Sequence, residues 1–496
     1  MTARQRRDPG VVIIGAGVAG IATAVTLQRN GFNDFTILEK GSDVGGVWHW
    51  NRYPGLTCDV PSQLYQFSFA PKPDWSHLFA PGDEIQRYLR DVVDRFGLGR
   101  HLRTNTEVQS AHFTGSNWRI TTTDGAELTA DFVIAATGVL HHPFTPSIPG
   151  LDTFDGDVVH TARWDDDIAV AGRRVAVIGS GSTGVQVVSA LQPDSVQLTQ
   201  FVRTPQWVLW APMGLRQPSP VAALLGRLPA AHRALYDVLL WGSGILADVV
   251  TRPSWRRSLV QALARLSLRA QVRDPAMRRE LTPDYEPLCK RQVLSGSYYR
   301  AIRARNVELV TDEIAQVTRG GIRTTDGCER AIDLIVFATG FHAHNYMRPM
   351  DVRGRDELSD MARVVFPVDA NSAMACLRAC YGDLGVIWNL VVPRSVQPVF
   401  FNRQQATQLV RDGALCVRGH CGSELQLVAT GAVTGAITGV LVGLIVAAVS
   451  GFGPGRIRPV FVSVSPALVK QMGFDHAAGA GFVIWIVLGL VAGIGG

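Results

Sequence analysis

The chain has 496 residues, 47% hydrophobic and 18% charged, which allows two to four domains, each with its own core. A formal charge of +6 at that length gives no argument for a nucleic-acid partner, while the excess of Arg suits an anionic cofactor with a phosphate tail. Seven cysteines with no C-x-x-C fit reduced cytoplasmic thiols better than a disulfide framework, and they count against a dithiol reductase.

The basic start MTARQRRDPG and the apolar run behind it look superficially like an export signal. That run contains G-x-G-x-x-G and has no cleavage region after it, so it reads as a strand and a helix. Val11–Ile14 is a short buried parallel strand, Gly15, Gly17 and Gly20 follow, and Ile21–Leu27 continues as a helix. Glycines at this spacing permit a tight turn and close approach of backbone to a pyrophosphate, which the helix N-terminus then faces. A second strand, Phe35–Leu38, ends at Glu39, nineteen residues after Gly20. An acid there accepts hydrogen bonds from a ribose 2′-OH and repels a 2′-phosphate. Further on, Glu107–Phe113 reads as a strand, and Phe132–Ala136 returns to close the half-domain at Thr137 and Gly138.

Residues 154–165 carry Phe154, Gly156, His160, Trp164 and Asp165 at the spacing F-x-G-x-x-x-H-x-x-x-W-D. A second strand–loop–helix follows: Arg174–Ile178, then GSGSTG with Gly179, Gly181, Ser182, Thr183 and Gly184. Its second strand, Val196–Val202, ends at Arg203, again nineteen residues after the last glycine of the loop. Where the first half has an acid, the second has a cation suited to a 2′-phosphate, so the second nucleotide is NADPH rather than NADH. The fold class is therefore α/β, with two doubly wound, Rossmann-like domains. Residues 215–280 interrupt the second with Arg-rich helical sequence, whose apolar face (Val238–Leu240, Ile245, Leu246, Leu259, Leu263) is expected to pack.

A glycine loop, this F-x-G-x-x-x-H-x-x-x-W-D stretch and a second glycine loop, in that order, resemble the fingerprint of Baeyer–Villiger monooxygenases, a branch of the class B flavin monooxygenases. The likeness covers about 350 residues. It implies that residues 1–150 begin an FAD domain, that 151–165 form a linker, that 166–330 bind NADPH, and that 331–360 return to the FAD domain. It assigns Gly46, Val47, Trp48, Asp59 and Tyr65 to FAD beside Gly15, Gly17, Gly20 and Glu39, with Val108 at the adenine end. NADPH would take Gly179, Gly181, Ser182, Thr183, Gly184, Arg203 and Thr204. The activity implied is O2-dependent: a flavin C4a-peroxide inserts one oxygen beside a ketone carbonyl to give an ester or lactone. Arg291, in LTPDYEPLCKR at 281–291, would be the cation that steadies the anionic peroxide in a dry site, oriented by Asp59, with Lys290 a catalytic helper toward NADPH. Phe154, Gly156, His160, Trp164 and Asp165 would couple domain motion to nicotinamide position rather than move protons. Two alternatives stay open. One oxygenates sulfur or nitrogen, as in a sulfide; the other is a membrane-tethered flavoprotein limited to electron transfer or without catalysis.

Beyond about residue 360 the resemblance ends, and a closing G-P-N stretch of the family is absent. Cys376, Cys380, Cys416 and Cys421 with His420 have poor zinc spacings, so no metal is expected. Residues 427–450 and 477–496 are uncharged and long enough to span a bilayer as a hairpin, with glycines at 431, 435, 439 and 443. The cations Arg456, Arg458 and Lys470 in the connecting loop oppose that reading. A buried helical core and a frame-changed tail are the other two accounts of residues 361–496, so cytoplasmic and membrane-anchored locations both stand.

Overall fold

Val11–Ile14 and Arg174–Ile178 are short runs dominated by β-branched residues, and each becomes the inner strand of a parallel sheet. The computed structural model describes residues 10–354 apart from His344 and Tyr346, together with the strands Ala362–Val365, Ile387–Leu390, Ala414–Arg418 and Leu425–Ala429. Two compact units divide the chain, and one of them, Met1–Gln109 with Thr121–Leu246 and Trp255–Met350, contains both parallel sheets and every predicted site residue.

The first sheet runs in the order Leu102–Arg103, Phe35–Leu38, Val11–Ile14, Phe132–Ala135. Val11 lies opposite both Phe35 and Phe132, so the glycine loop that follows Ile14 leaves from the middle of the sheet. The second sheet repeats that order and adds a strand: Val307–Val310, Gln197–Phe201, Arg174–Ile178, Leu334–Phe337, Asp157–His160. Strand alternation gives this sheet two covered faces. Val175, Val177, Leu334 and Val336 enter one core; Ala176, Ile178, Ile335 and Phe337 enter another. All four residues of Leu334–Phe337 are buried, as a strand between two layers requires.

Two features differ from the sequence reading. Residues 151–165 are not a free linker: Asp157–His160 is the edge strand of the second sheet, with His160 opposite Phe337. Correspondingly, the closing strand Leu334–Phe337 belongs to the second sheet, and the chain leaves that sheet only after Phe337. Two crossing segments there pair with each other. Phe144 N–H donates to the Gly340 carbonyl and His342 N–H to the His142 carbonyl, both at 2.9 Å, around an antiparallel bridge between Pro143 and Phe341.

The insertion is helical as expected, in the pieces Ser219–Arg227, Pro229–Thr251, Trp255–Gln271 and Pro275–Glu280. Pro275 occupies the first turn of the last helix, and the Asp274 carboxylate caps the N–H groups of Ala276 and Met277. The anticipated apolar face of the insertion is packed only in part: Leu239 and Ile245 are half-buried, whereas Val238, Leu240, Leu246, Leu259 and Leu263 are exposed. Trp255–Gln271 meets the core through Ala264 and Leu268 instead. Ala264 is small enough for the helix to come close, which turns Trp255, Leu259, Leu263 and Leu266 outward as one stripe. Among the described residues no single helix is long and apolar enough to cross a membrane. Of the two uncharged stretches in the tail, residues 427–429 lie in the strand Leu425–Ala429, which pairs antiparallel with Ala414–Arg418; 430–450 and 477–496 lie outside the described residues.

Gly156 shows how closely the edge strand is seated: a Cβ there would lie 2.5 Å from the Asp333 carbonyl oxygen and 2.6 Å from the Phe154 ring. Gly156→Ala is therefore expected to cost about 1–3 kcal/mol through overpacking. A thermal melt should fall by several degrees, and an unchanged midpoint would show that the strand yields freely.

Candidate active site

Two glycine loops face two ligand positions. In the first, Gly15 adopts φ +105°, and a Cβ on it would sit 2.6 Å from the Ala136 carbonyl oxygen. Gly20 is packed so tightly that a Cβ would lie 1.9 Å from the Gly15 carbonyl oxygen, which presses the helix Val18–Arg29 onto its strand. That helix begins at Gly17 without a side-chain cap, so its first N–H groups are left for a ligand. Gly46 comes within van der Waals range of Gly17, and the two backbones form one floor. A cavity of about 320 Å³ opens above it, lined by Gly15, Gly17, Glu39, Gly46, Val47, Tyr65 and Val108.

Of the residues assigned to the first nucleotide, Gly20, Trp48 and Asp59 do not line this cavity. Gly20 acts from beneath. Trp48 Nε1 donates to the Tyr65 hydroxyl at 3.1 Å and orients that ring at the cavity wall. Glu39 is buried and held rigidly: its carboxylate accepts from Ala16 N–H and Gly41 N–H, both at 2.7 Å. Sequence reasoning missed Lys40, Thr106, Glu107 and Met347–Met350 as lining residues. Thr106 and Glu107 directly precede the Val108 strand, a signal that was available; the methionine segment carried none.

The second loop repeats the arrangement. A Cβ on Gly184 would lie 2.5 Å from the Gly179 carbonyl oxygen, and Gly181 opens onto free space and starts the uncapped helix Ser182–Leu191. Ser180 Oγ donates to the Thr204 carbonyl at 2.6 Å, which ties this loop to the end of the neighbouring strand. Arg203 stands exposed at that end, where Glu39 stands in the first half.

Between the loops, the chain brings together the two residues expected to do the chemistry. Arg291 Nη2 donates to Asp59 Oδ2 at 2.7 Å across 232 residues of sequence. Arg291 is placed by the short strand Val293–Leu294, which pairs in parallel with Val208–Leu209. Leu288, three residues before it, is buried at φ +74°, an unfavourable conformation for a branched side chain and a mark of local strain. Asp59 is placed by Cys58, whose N–H donates to the Ala80 carbonyl at 3.0 Å, and by a bridge between Thr57 and Pro81. Lys290 does not join the pair. Its ammonium lies 4.2 Å from the centroid of the Tyr285 ring, whose hydroxyl reaches Gln206 Oε1 at 2.8 Å, close in sequence to Arg203.

The fingerprint residues lie within the second half. Trp164 is buried in one core, Phe154 packs on another, and Asp165 Oδ1 accepts from Asp167 N–H at 3.1 Å. His160 Nδ1 accepts from Ala162 N–H at 3.1 Å, which leaves the proton on Nε2. Burial lowers its pKa, against the opposing influence of the Gly340 and Phe144 carbonyls, so the ring is neutral near pH 7. Tyr298 and Tyr299 are core residues as well.

A family model for pyridine nucleotide-disulphide oxidoreductases matches residues 12–212. An uncharacterized monooxygenase of Mycobacterium tuberculosis is 49% identical over 356 residues, 71% of this chain and 70% of that one. A Baeyer–Villiger monooxygenase of Pseudomonas aeruginosa is 37% identical over 368 residues, 72% of this chain and 68% of that one. Among solved structures, a complex of OTEMO with FAD and NADP is 28% identical, with a TM-score of 0.61 over 71% of this chain and 75% of that one.

The thiols give a direct test of the site's packing. Burial pushes Cys58 up to about 12, and its neighbour Asp59 adds to the rise. A hydrogen bond to Asp326 raises the exposed Cys328, whereas Cys289 is simply exposed. Of these three described thiols, alkylation at pH 8 followed by peptide mapping should label the exposed Cys289 and Cys328 in the folded protein and Cys58 only after unfolding. Early labelling of Cys58 would contradict the packed Asp59 loop.

Proposed function

The chain belongs to the Baeyer–Villiger monooxygenases, FAD- and NADPH-dependent enzymes that use O2, and from that premise we propose how its own residues divide the reaction. FAD, reduced by NADPH, supplies the activated oxygen, one atom of which enters beside a ketone carbonyl to give an ester or lactone while the other leaves as water. The glycine floor suits a pyrophosphate of FAD because Gly15 and Gly46 leave no room for a Cβ, which would lie 2.6 Å from the Ala136 carbonyl oxygen and 3.0 Å from Gly17 Cα respectively, so bare backbone lines the cavity. Of the residues lining the cavity, Glu39 would accept from the ribose hydroxyls, Tyr65 would hold the ring system and Val108 would meet the adenine end. The uncapped helix at Gly181–Thr183, with Arg203 and Thr204 beyond it, takes NADPH.

The observation that carries the proposal is the Asp59–Arg291 pair. An ion pair with one partner 67% exposed contributes at most about 1 kcal/mol to stability. Its value lies in placement. Asp59 engages one N–H of the guanidinium and leaves the other donors for negative charge that develops on the reacting oxygen. A fixed cation acts strongly there once cofactors and substrate exclude water, because it needs no reorganisation during the reaction. Lys290, held over the Tyr285 ring whose hydroxyl bonds Gln206 near Arg203, is assigned to NADPH rather than to the reacting oxygen. His160 holds its strand and performs no proton transfer. The unpaired thiols Cys58, Cys289 and Cys328 support a cytoplasmic setting.

Purified protein loaded with FAD and given NADPH, O2 and a panel of ketones should release esters or lactones. Arg291→Ala should lower ester formation by roughly two to three orders of magnitude while flavin reduction by NADPH persists. Full ester formation by that variant would remove Arg291 from the chemistry. Arg203→Ala should raise the NADPH KM roughly ten- to a hundredfold and leave that for NADH nearly unchanged, as loss of a charge-assisted contact to a 2′-phosphate requires. An equal rise for both nucleotides would contradict the assignment.

A further inference from the structure

The loop that carries Asp59 lies directly on the helix that begins at the second phosphate loop. Tyr53 and Leu56, from the first half's sequence, pack into the core built around the second sheet. Gly55, at φ +82°, closes the approach: a Cβ there would lie 2.9 Å from Ala190 Cβ and 3.0 Å from the Gln186 carbonyl oxygen. One side chain bridges the two elements at both ends of this contact. Gln186 Oε1 accepts from the Tyr53 hydroxyl at 2.9 Å, and Gln186 Nε2 donates to the Thr57 carbonyl at 2.9 Å. Thr57 is two residues from Asp59, and Gln186 is one turn along the helix Ser182–Leu191 from Ser182 and Thr183. Burial pushes the Tyr53 phenol up to about 12, so its hydroxyl stays protonated and remains a donor to Gln186 Oε1.

We propose that Gln186 is a positioning residue that couples occupancy of the second phosphate loop to the placement of Asp59 against Arg291. The amide suits this task because it offers an acceptor to Tyr53 and a donor to Thr57 at once, so the helix and the loop move together. A nucleotide phosphate that draws on the N–H groups at Ser182 and Thr183 shifts or stiffens the first turn of the helix. Through Gln186 that change reaches the Thr57–Asp59 backbone, and through Asp59 the guanidinium. By linkage, the state of the Asp59–Arg291 pair must in turn alter affinity at the second loop. The proposal rests on the assignment of that pair to the reaction and of the second loop to NADPH.

The test is a double-mutant cycle read by binding rather than by turnover. NADP+ is titrated into the FAD-loaded enzyme, its flavin absorbance followed, for the wild type, Asp59→Asn, Gln186→Ala and the double variant. Asp59→Asn should change the NADP+ Kd about fivefold or more when Gln186 is present. In the Gln186→Ala background the change should be less than about twofold, the scatter expected of independent sites. Equal fold-changes in both backgrounds, or no change in either, would overturn the coupling. A purely structural role for Gln186 would lower the melting temperature and FAD content without producing the non-additivity. Should Gln186→Ala fail to fold, Gln186→Met serves in the same cycle, since it nearly keeps the side chain's length, adds no charge and loses both hydrogen bonds. If Arg291→Ala retained ester formation, the catalytic assignment would fail on its own; an additive cycle beside an inactive Arg291→Ala overturns the coupling alone.

Discussion

The structure depends on one steric condition met twice: the third glycine of each phosphate loop lies against the carbonyl of the first. At Gly20 against Gly15 and at Gly184 against Gly179 there is no room for a Cβ, so each helix settles onto its strand with its N-terminus aimed past the sheet edge. That contact sets the direction of two sets of unpaired N–H groups, and everything else in the two halves is arranged around the positions they face. Glu39 and Arg203 then give the two positions opposite charge at equivalent places, which is how two copies of one topology can take different nucleotides.

Arg291 and Asp59 are held from different directions, which makes their meeting informative. Asp59 rides on a loop fixed by Ala80, Pro81 and the helix behind Gly55, while Arg291 leaves a strained turn at Leu288 and enters a short strand beside Val208. Neither segment gains much from an ion pair with one partner in water. Their geometry comes instead from backbone pairing and from buried neighbours such as Cys58 and Tyr53, and the charges are carried into place by packing.

Much of this was legible in the residues. The strands Val11–Ile14, Phe35–Leu38 and Arg174–Ile178 were readable to the residue, because short apolar runs bounded by glycine or by charged residues leave few alternatives. The Asp59–Arg291 contact was legible only through resemblance, since no local pattern announces a pairing across 232 residues. Asp157–His160 was taken for linker because the F-x-G-x-x-x-H-x-x-x-W-D resemblance covers it; the register with Leu334–Phe337 makes it a strand. The helix Trp255–Gln271 misled in the opposite sense. Its leucines at helical spacing suggested a buried face, yet Ala264 and Leu268 make the contact, because close approach favoured the small side chain over the larger stripe. Lys290 was placed beside Arg291 by adjacency in sequence, but successive residues project in different directions, and its ammonium found the Tyr285 ring.

The central claim is that this chain transfers one atom of O2 to an organic substrate at the site marked by Arg291. It is tested most directly by supplying FAD-loaded, NADPH-reduced protein with 18O2 and a ketone and weighing the product. The account predicts an ester or lactone with one 18O atom and consumption of one NADPH for each product formed. Unlabelled product, or NADPH oxidation that yields only hydrogen peroxide across the ketone panel, would contradict it.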